Sequence, residues 1–182
     1  MNIKMTTLFM TVIGMTQFVF AESPAPVPKT GQMVSCRTGD DGDLGAGVAW
    51  PNPRFTDLGD GTVRDNLTGL EWIRAPQALF GNLSAMNWNV AVNFCNNLVY
   101  AGHFDWRVPS HKELISLVDY GAYNPILPAG HPFVGIQSSF YWSGTSSAVN
   151  AGYAWGVDIG DGRVYGNVKA STFYVWPVRN GR

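Results

Sequence analysis

Six side chains able to do chemistry fall within nine positions of FDWRVPSHKELISLVDYG: Asp105, Arg107, Ser110, His111, Lys112 and Glu113. Ser110, His111 and Asp105 together supply the hydroxyl, imidazole and carboxylate of a hydrolytic triad. A triad requires nucleophile and base within hydrogen-bond reach of each other. Neighbours at a helix start point in different directions, and no G-x-S-x-G elbow occurs in the chain. The same residues fit a structural use better. Ser110-His111-Lys112-Glu113 is a capping box, in which the Ser hydroxyl accepts from the Glu113 amide and the Glu carboxylate accepts from the Ser110 amide. Pro109 stands ready to staple against Leu114. Leu114, Leu117 and Val118 form an apolar stripe, and Gly121 is expected to close the helix. Asp105 and Arg107 are expected to bond each other or nearby backbone, clamping the preceding loop. Asp105, Arg107, Ser110 and Glu113 are thus assigned structural roles, and no catalytic residue is expected.

Metal chemistry has little to work with. His103, His111 and His131 show no H-E-x-x-H or other ligand spacing. Asp57-Leu58-Gly59-Asp60-Gly61 and Asp158-Ile159-Gly160-Asp161-Gly162 resemble each other, but neither has the alternating carboxylates and terminal Glu of an EF-hand loop. Asp-Gly between strand-like runs is a hairpin signal instead. Asp40, Asp41 and Asp43 form a separate candidate for a structural calcium ion, and no other cofactor is expected.

The elements around these residues follow from periodicity. Trp88, Ala91, Val92, Cys95, Leu98 and Val99 recur at helical spacing with Gly102 as a stop, which puts Cys95 on a buried helix face. The last third is strand-like. Tyr153, Trp155, Val157 and Ile159 alternate with smaller or polar residues, giving a hairpin with an apolar face and a polar one. Trp142, Trp155 and Trp176 are expected in the core. Asp158, Arg163, Tyr165, Asn167 and Lys169 are expected to share the polar face beside a loop carrying Ser146, Ser147 and Asn150. Tyr offers stacking area, while Asn, Asp and Arg offer directed hydrogen bonds, so these eight residues are the candidate ligand-binding set. The alternative is a solvated sheet face with no ligand.

The chain begins with one positive charge, Lys4, and an apolar stretch from Leu8 to Phe20 that ends in small residues at Val19 and Ala21. This predicts a signal peptide over 1–21, an exported product in the periplasm or outside the cell, and no membrane insertion. Residues 22–50, rich in Pro, Gly and Asp, are an irregular lead-in, and 51–182 make the folded domain. Without Lys4 there remain 11 basic and 13 acidic residues, a balance that excludes the basic patch a nucleic-acid or anionic-membrane binder needs. Two cysteines in an exported protein have one available pairing, Cys36–Cys95, the alternative being two unrelated thiols.

In order along the chain, RFTDLGDGTVRDNLTGLEW, the helix with Cys95, AGHFDWRVPSHKELISLVDY, SSFYWSGTS, AWGVDIGDGRV and YVWPVRNG resemble the Lcl C-terminal-type domain of secreted bacterial proteins. Asp105-Trp106-Arg107-Val108-Pro109 matches that family's D-W-R-L-P signature with Val in place of Leu. The resemblance implies an α+β, C-type lectin-like fold: two helices, a small and mostly antiparallel sheet, and long loops. It also implies adhesion or binding to a glycan or protein at the cell envelope. Structural components of envelope assemblies and the variable proteins of diversity-generating retroelements are the other roles it suggests. The distantly related formylglycine-generating enzymes need reactive cysteines, which this sequence does not offer in a cleft.

Overall fold

A computed structural model describes residues 27–81 and 85–181. The expected signal peptide lies outside the described residues, as do the first residues of the lead-in. Among those described, no helix is long and apolar enough to cross a membrane.

Among the described residues seven strands form two antiparallel sheets. The first has the order β1-β2-β3-β7, from Phe55–Asp57, Thr62–Asp65, Leu70–Ile73 and Val178–Asn180. The second has the order β4-β5-β6, from Phe140–Ser146, Tyr153–Asp158 and Val164–Val168. Helices are few and short: α1 at Asp41–Leu44, a 3-10 turn at Pro76–Phe80, α2 at Trp88–Asn96 and α3 at His111–Ser116. The architecture is therefore mixed, with helices set against antiparallel sheets.

The two Asp-Gly strings are hairpin turns built alike. Asp57 Oδ1 accepts from Gly59 N at 3.0 Å, and Asp158 Oδ1 accepts from Gly160 N at 2.7 Å. Three residues on, Asp60 accepts from Thr62 N at 2.9 Å and Asp161 from Arg163 N at 3.1 Å. Each aspartate thus bonds backbone two residues ahead, as an Asx turn does. Gly61 and Gly162 take positive φ, 93° and 80°, which few other residues adopt at low cost.

Two apolar clusters hold the elements together. Trp72 and Val63 of the first sheet meet Tyr141 and Val157 of the second, with Leu114 of α3, Leu117 just after it and Trp176 between them. Trp176 stands edge-on to Trp72 at 5.6 Å between centroids and donates from Nε1 to Ile73 O at 2.8 Å. The second cluster joins Ala91 and Cys95 of α2 to Trp142, Ala154 and Val175. Small Ala154 and Gly156 therefore occupy the α2 side of β5, where a Cβ at Gly156 would stand 3.1 Å from Tyr141 O.

Several expectations need correction. The two cysteines are not bonded: Cys36 is exposed and Cys95 is buried. Cys95 packs against the second cluster beneath α2, and burial pushes its thiol up to about 12. The lead-in that carries Cys36 is held elsewhere, at the turn after α3, where Tyr120 N donates to Thr30 O at 2.8 Å. A parallel bridge between Pro28 and Val48 closes that segment on itself. Both helices also end early. α2 stops at Asn96, which leaves Val99 exposed, and Gly102 serves a later turn. α3 stops at Ser116, and Gly121 instead permits close approach of the lead-in, since a Cβ there would lie 2.6 Å from Gly31 O.

Candidate functional site

The segment that first suggested chemistry is fully engaged in structure. Ser110 Oγ accepts from Glu113 N at 3.2 Å, and Glu113 Oε2 accepts from Ser110 N at 2.7 Å, so both halves of the capping box are formed. Arg107 does not pair with Asp105. It forks onto Glu113 with two bonds of 2.7 Å, Nη1 to Oε2 and Nη2 to Oε1. Burial works against the Glu113 carboxylate, yet the bonds from Arg107 and Ser110 outweigh it and hold its pKa below the ordinary value. Asp105 instead accepts from Arg179 Nε at 2.8 Å, a bond that lowers its pKa. His111 Nδ1 lies 3.3 Å from Thr145 Oγ1. The three triad side chains thus bond to three different partners.

The aspartates of the lead-in are engaged as well. Asp40 caps α1, accepting from Asp43 N at 2.9 Å and from Cys36 N at 2.7 Å, and its pKa is lowered by these bonds. Asp43 accepts from Gly39 N at 2.8 Å, and Asp41 from the Thr30 hydroxyl. Among the described residues no group of three His, Cys, Asp or Glu side chains is gathered in the manner of a metal site.

The β5–β6 hairpin is the open part of the molecule. The outer side of β4 is covered by the segment around Tyr174, which bridges to Tyr141, so β6 is left as the free edge of its sheet. Register pairs Tyr165 with Gly156 and Asn167 with Ala154, which puts them on the α2 side of the sheet. On this side Tyr165 is half exposed, packs edge-on against Phe140 at 6.2 Å and lies 6.0 Å from the Arg163 guanidinium. Arg163 is itself paired with Asp161 at 2.6 Å. At the far end Lys169 Nζ donates to Ser146 Oγ at 2.7 Å and sits 3.9 Å over the Trp88 ring. Ser147 and Asn150 belong to the adjoining tip, where Asn150 Oδ1 accepts from Gly152 N at 2.9 Å.

Ser146, Lys169, Arg163 and Tyr165 are thus brought to one side of the hairpin, but Asp158 is not available with them. It is buried in the turn, accepting from Gly160 N, with Arg163 Nη2 3.7 Å away. Trp155, expected in the core, lies on the opposite side and is 37% exposed, level with Tyr153. Its ring sits 6.3 Å from that of His111. Alternation alone assigned these bulky residues inward. On their side of β5 only Val157 is covered, by the first cluster, while α2 and Trp142 cover Ala154 on the other.

The result is a mixed α/β domain with a three-stranded sheet whose last hairpin carries exposed aromatics on both sides. A family model for the Lcl C-terminal domain matches residues 61–179, and the chain belongs to that family. No curated protein matches the sequence. The lead-in and β1 lie outside the matched segment.

Proposed function

We propose that the protein is an exported bacterial ligand-binding module of C-type lectin-like fold, adhesin-like in role, which takes a glycan or protein through the β5–β6 hairpin. It acts by binding, without catalysis and without a cofactor. Family membership supports the adhesin-like context. The observation that carries the reading is the open hairpin: Tyr153, Trp155 and Tyr165 keep 37%, 37% and 52% of their surface beside the unpaired edge β6. Aromatic faces stack on sugar rings and on protein surfaces alike, while Arg163, Asn167, Lys169, Ser146, Ser147 and Asn150 supply directed bonds around them. Asp158 shapes the turn under this surface and does not itself touch ligand.

The test is a binding screen against glycans and envelope proteins, run with the unaltered chain and with Tyr165→Ala, Arg163→Ala and Trp155→Ala. Loss of signal in Tyr165→Ala or Arg163→Ala assigns the ligand to the α2 side, and loss in Trp155→Ala assigns it to the other. Retention in all three removes the hairpin from the proposal. The free strand edge also favours a second reading, a structural component that adds a strand to a protein partner. One stoichiometric envelope protein recovered by pull-down, with no carbohydrate bound, would decide for that reading.

A further inference from the structure

A second concave site lies apart from the hairpin, between the lead-in and α3. It is a cavity of about 280 Å³, with Pro28 and Trp50 contributed by the lead-in, and Ile115 and Val118 by α3 and its following turn. Lys29 and Lys112 line it too. Trp50, Thr30 and Ser116 of its lining are bonded within the protein. Trp50 Nε1 donates to Lys29 O at 2.9 Å, and the Thr30 hydroxyl donates to Asp41. Ser116 Oγ donates to Glu113 O at 2.7 Å, and Ser116 O accepts from Arg54 Nη2 at 2.6 Å.

The lysines differ from nearly every other cation. Ten Lys and Arg side chains fall among the described residues; six pair with carboxylates, and Lys169 bonds Ser146. Lys29 and Lys112 have neither an ion pair nor a side-chain hydrogen bond among the described residues, and Arg37 alone shares that condition. Two of three uncompensated cations thus line one apolar cavity. No carboxylate pairs with either among the described residues: Asp41 accepts from Thr30, and Asp119 from Gly121 N at 2.8 Å.

An apolar wall rewards a ligand that buries hydrocarbon, and ammonium groups beside it reward a negative charge at the ligand's end. A cavity of this volume holds a single ring-sized body. We propose that it binds a small carboxylate with an apolar body, the carboxylate meeting Lys29 and Lys112 and the body lying between Trp50 and Ile115. Pro28, Lys29 and Trp50 precede the segment matched to the family, so the site belongs to chains that carry this lead-in.

Calorimetric titration of the full chain with benzoate, cyclohexanecarboxylate, benzamide and acetate tests both halves of the recognition. The two ring carboxylates should bind. Benzamide lacks the charge and acetate lacks the body, so each should bind about tenfold more weakly or less. The double variant Lys29→Gln/Lys112→Gln should lose about tenfold for benzoate while its thermal unfolding stays unchanged, both lysines being exposed. The proposal is overturned if neither ring carboxylate binds, if benzamide or acetate binds as tightly as benzoate, or if the double variant titrates as the unaltered chain does.

Discussion

The two sheets treat their polar residues in opposite ways. In the β1-β2-β3-β7 sheet Asp65, Glu71 and Arg179 are withdrawn from water and paired. Arg54 holds Asp65 at 2.8 Å with both side chains buried, and Glu71 receives Arg64 at 2.7 Å and also Arg179. Arg179 extends the chain of charges to Asp105 at 2.8 Å. In the β4-β5-β6 sheet the ion pairs of Arg163 stay at the surface, and the aromatics Tyr153, Trp155 and Tyr165 keep much of their area exposed. A buried charge is tolerated only beside its partner, so the polar groups of the first sheet are committed to one another. Those of the second are free to meet something else. Richness in polar and aromatic residues therefore does not mark a binding face by itself; what matters is whether other parts of the chain have already used them.

Substitutions can break or sharpen this contrast. The largest loss is expected from Trp176→Ala, about 3–5 kcal/mol in urea unfolding, because the ring is fully buried between both sheets. Asp65→Ala should cost about 3 kcal/mol by the same measurement, since it leaves Arg54 buried without its counter-charge and also removes the acceptor of Thr68 Oγ1. Arg163→Ala is the matching change in the second sheet, and its unfolding midpoint should not move; a loss as large as that of Asp65→Ala would end the contrast.

Glu113→Gln should cost about 1 kcal/mol at neutral pH, through the cap and the Arg107 fork together. Its pH dependence has a definite sign. Folding lowers the Glu113 pKa, so the stabilisation is whole above the ordinary value of 4.5 and disappears as pH falls through the lower folded value. The variant should therefore unfold with a shallower acid limb below pH 4.5, as followed by circular dichroism. Trp155→Ala should shift stability by less than about 1 kcal/mol, its ring being partly exposed, while changing binding if the ligand lies on that side. The smallest effect is expected from calcium. Thermal unfolding with calcium and with chelator should coincide, because the Asp40, Asp41 and Asp43 carboxylates already accept bonds from the chain.

Much of the local structure could be read before the fold was seen. The capping box at Ser110 and Glu113, the two Asx hairpin turns and the burial of Cys95 on α2 all depend on residues a few positions apart. The candidate site was legible only in part. Lys169 and Ser146 do meet across the hairpin, but Asp158 is buried in its turn and Trp155, expected in the core, stays partly exposed. Strand alternation says which residues share a side, never which side the core will cover. Here both sides of β5 are covered, Ala154 by α2 and Trp142 and Val157 by the first cluster, and Trp155 falls beyond the cover on its side.

The sequence by itself determined the family and the points where helices and hairpins begin, because hydrogen bonds between near neighbours form with little chain entropy to overcome. Only the tertiary structure decided the partners of Arg107, Asp105 and Glu71, the separation of Cys36 from Cys95, and the cavity between the lead-in and α3. Those contacts join residues as distant as Glu71 and Arg179, and such pairs are selected by the packing of whole elements and not by spacing along the chain.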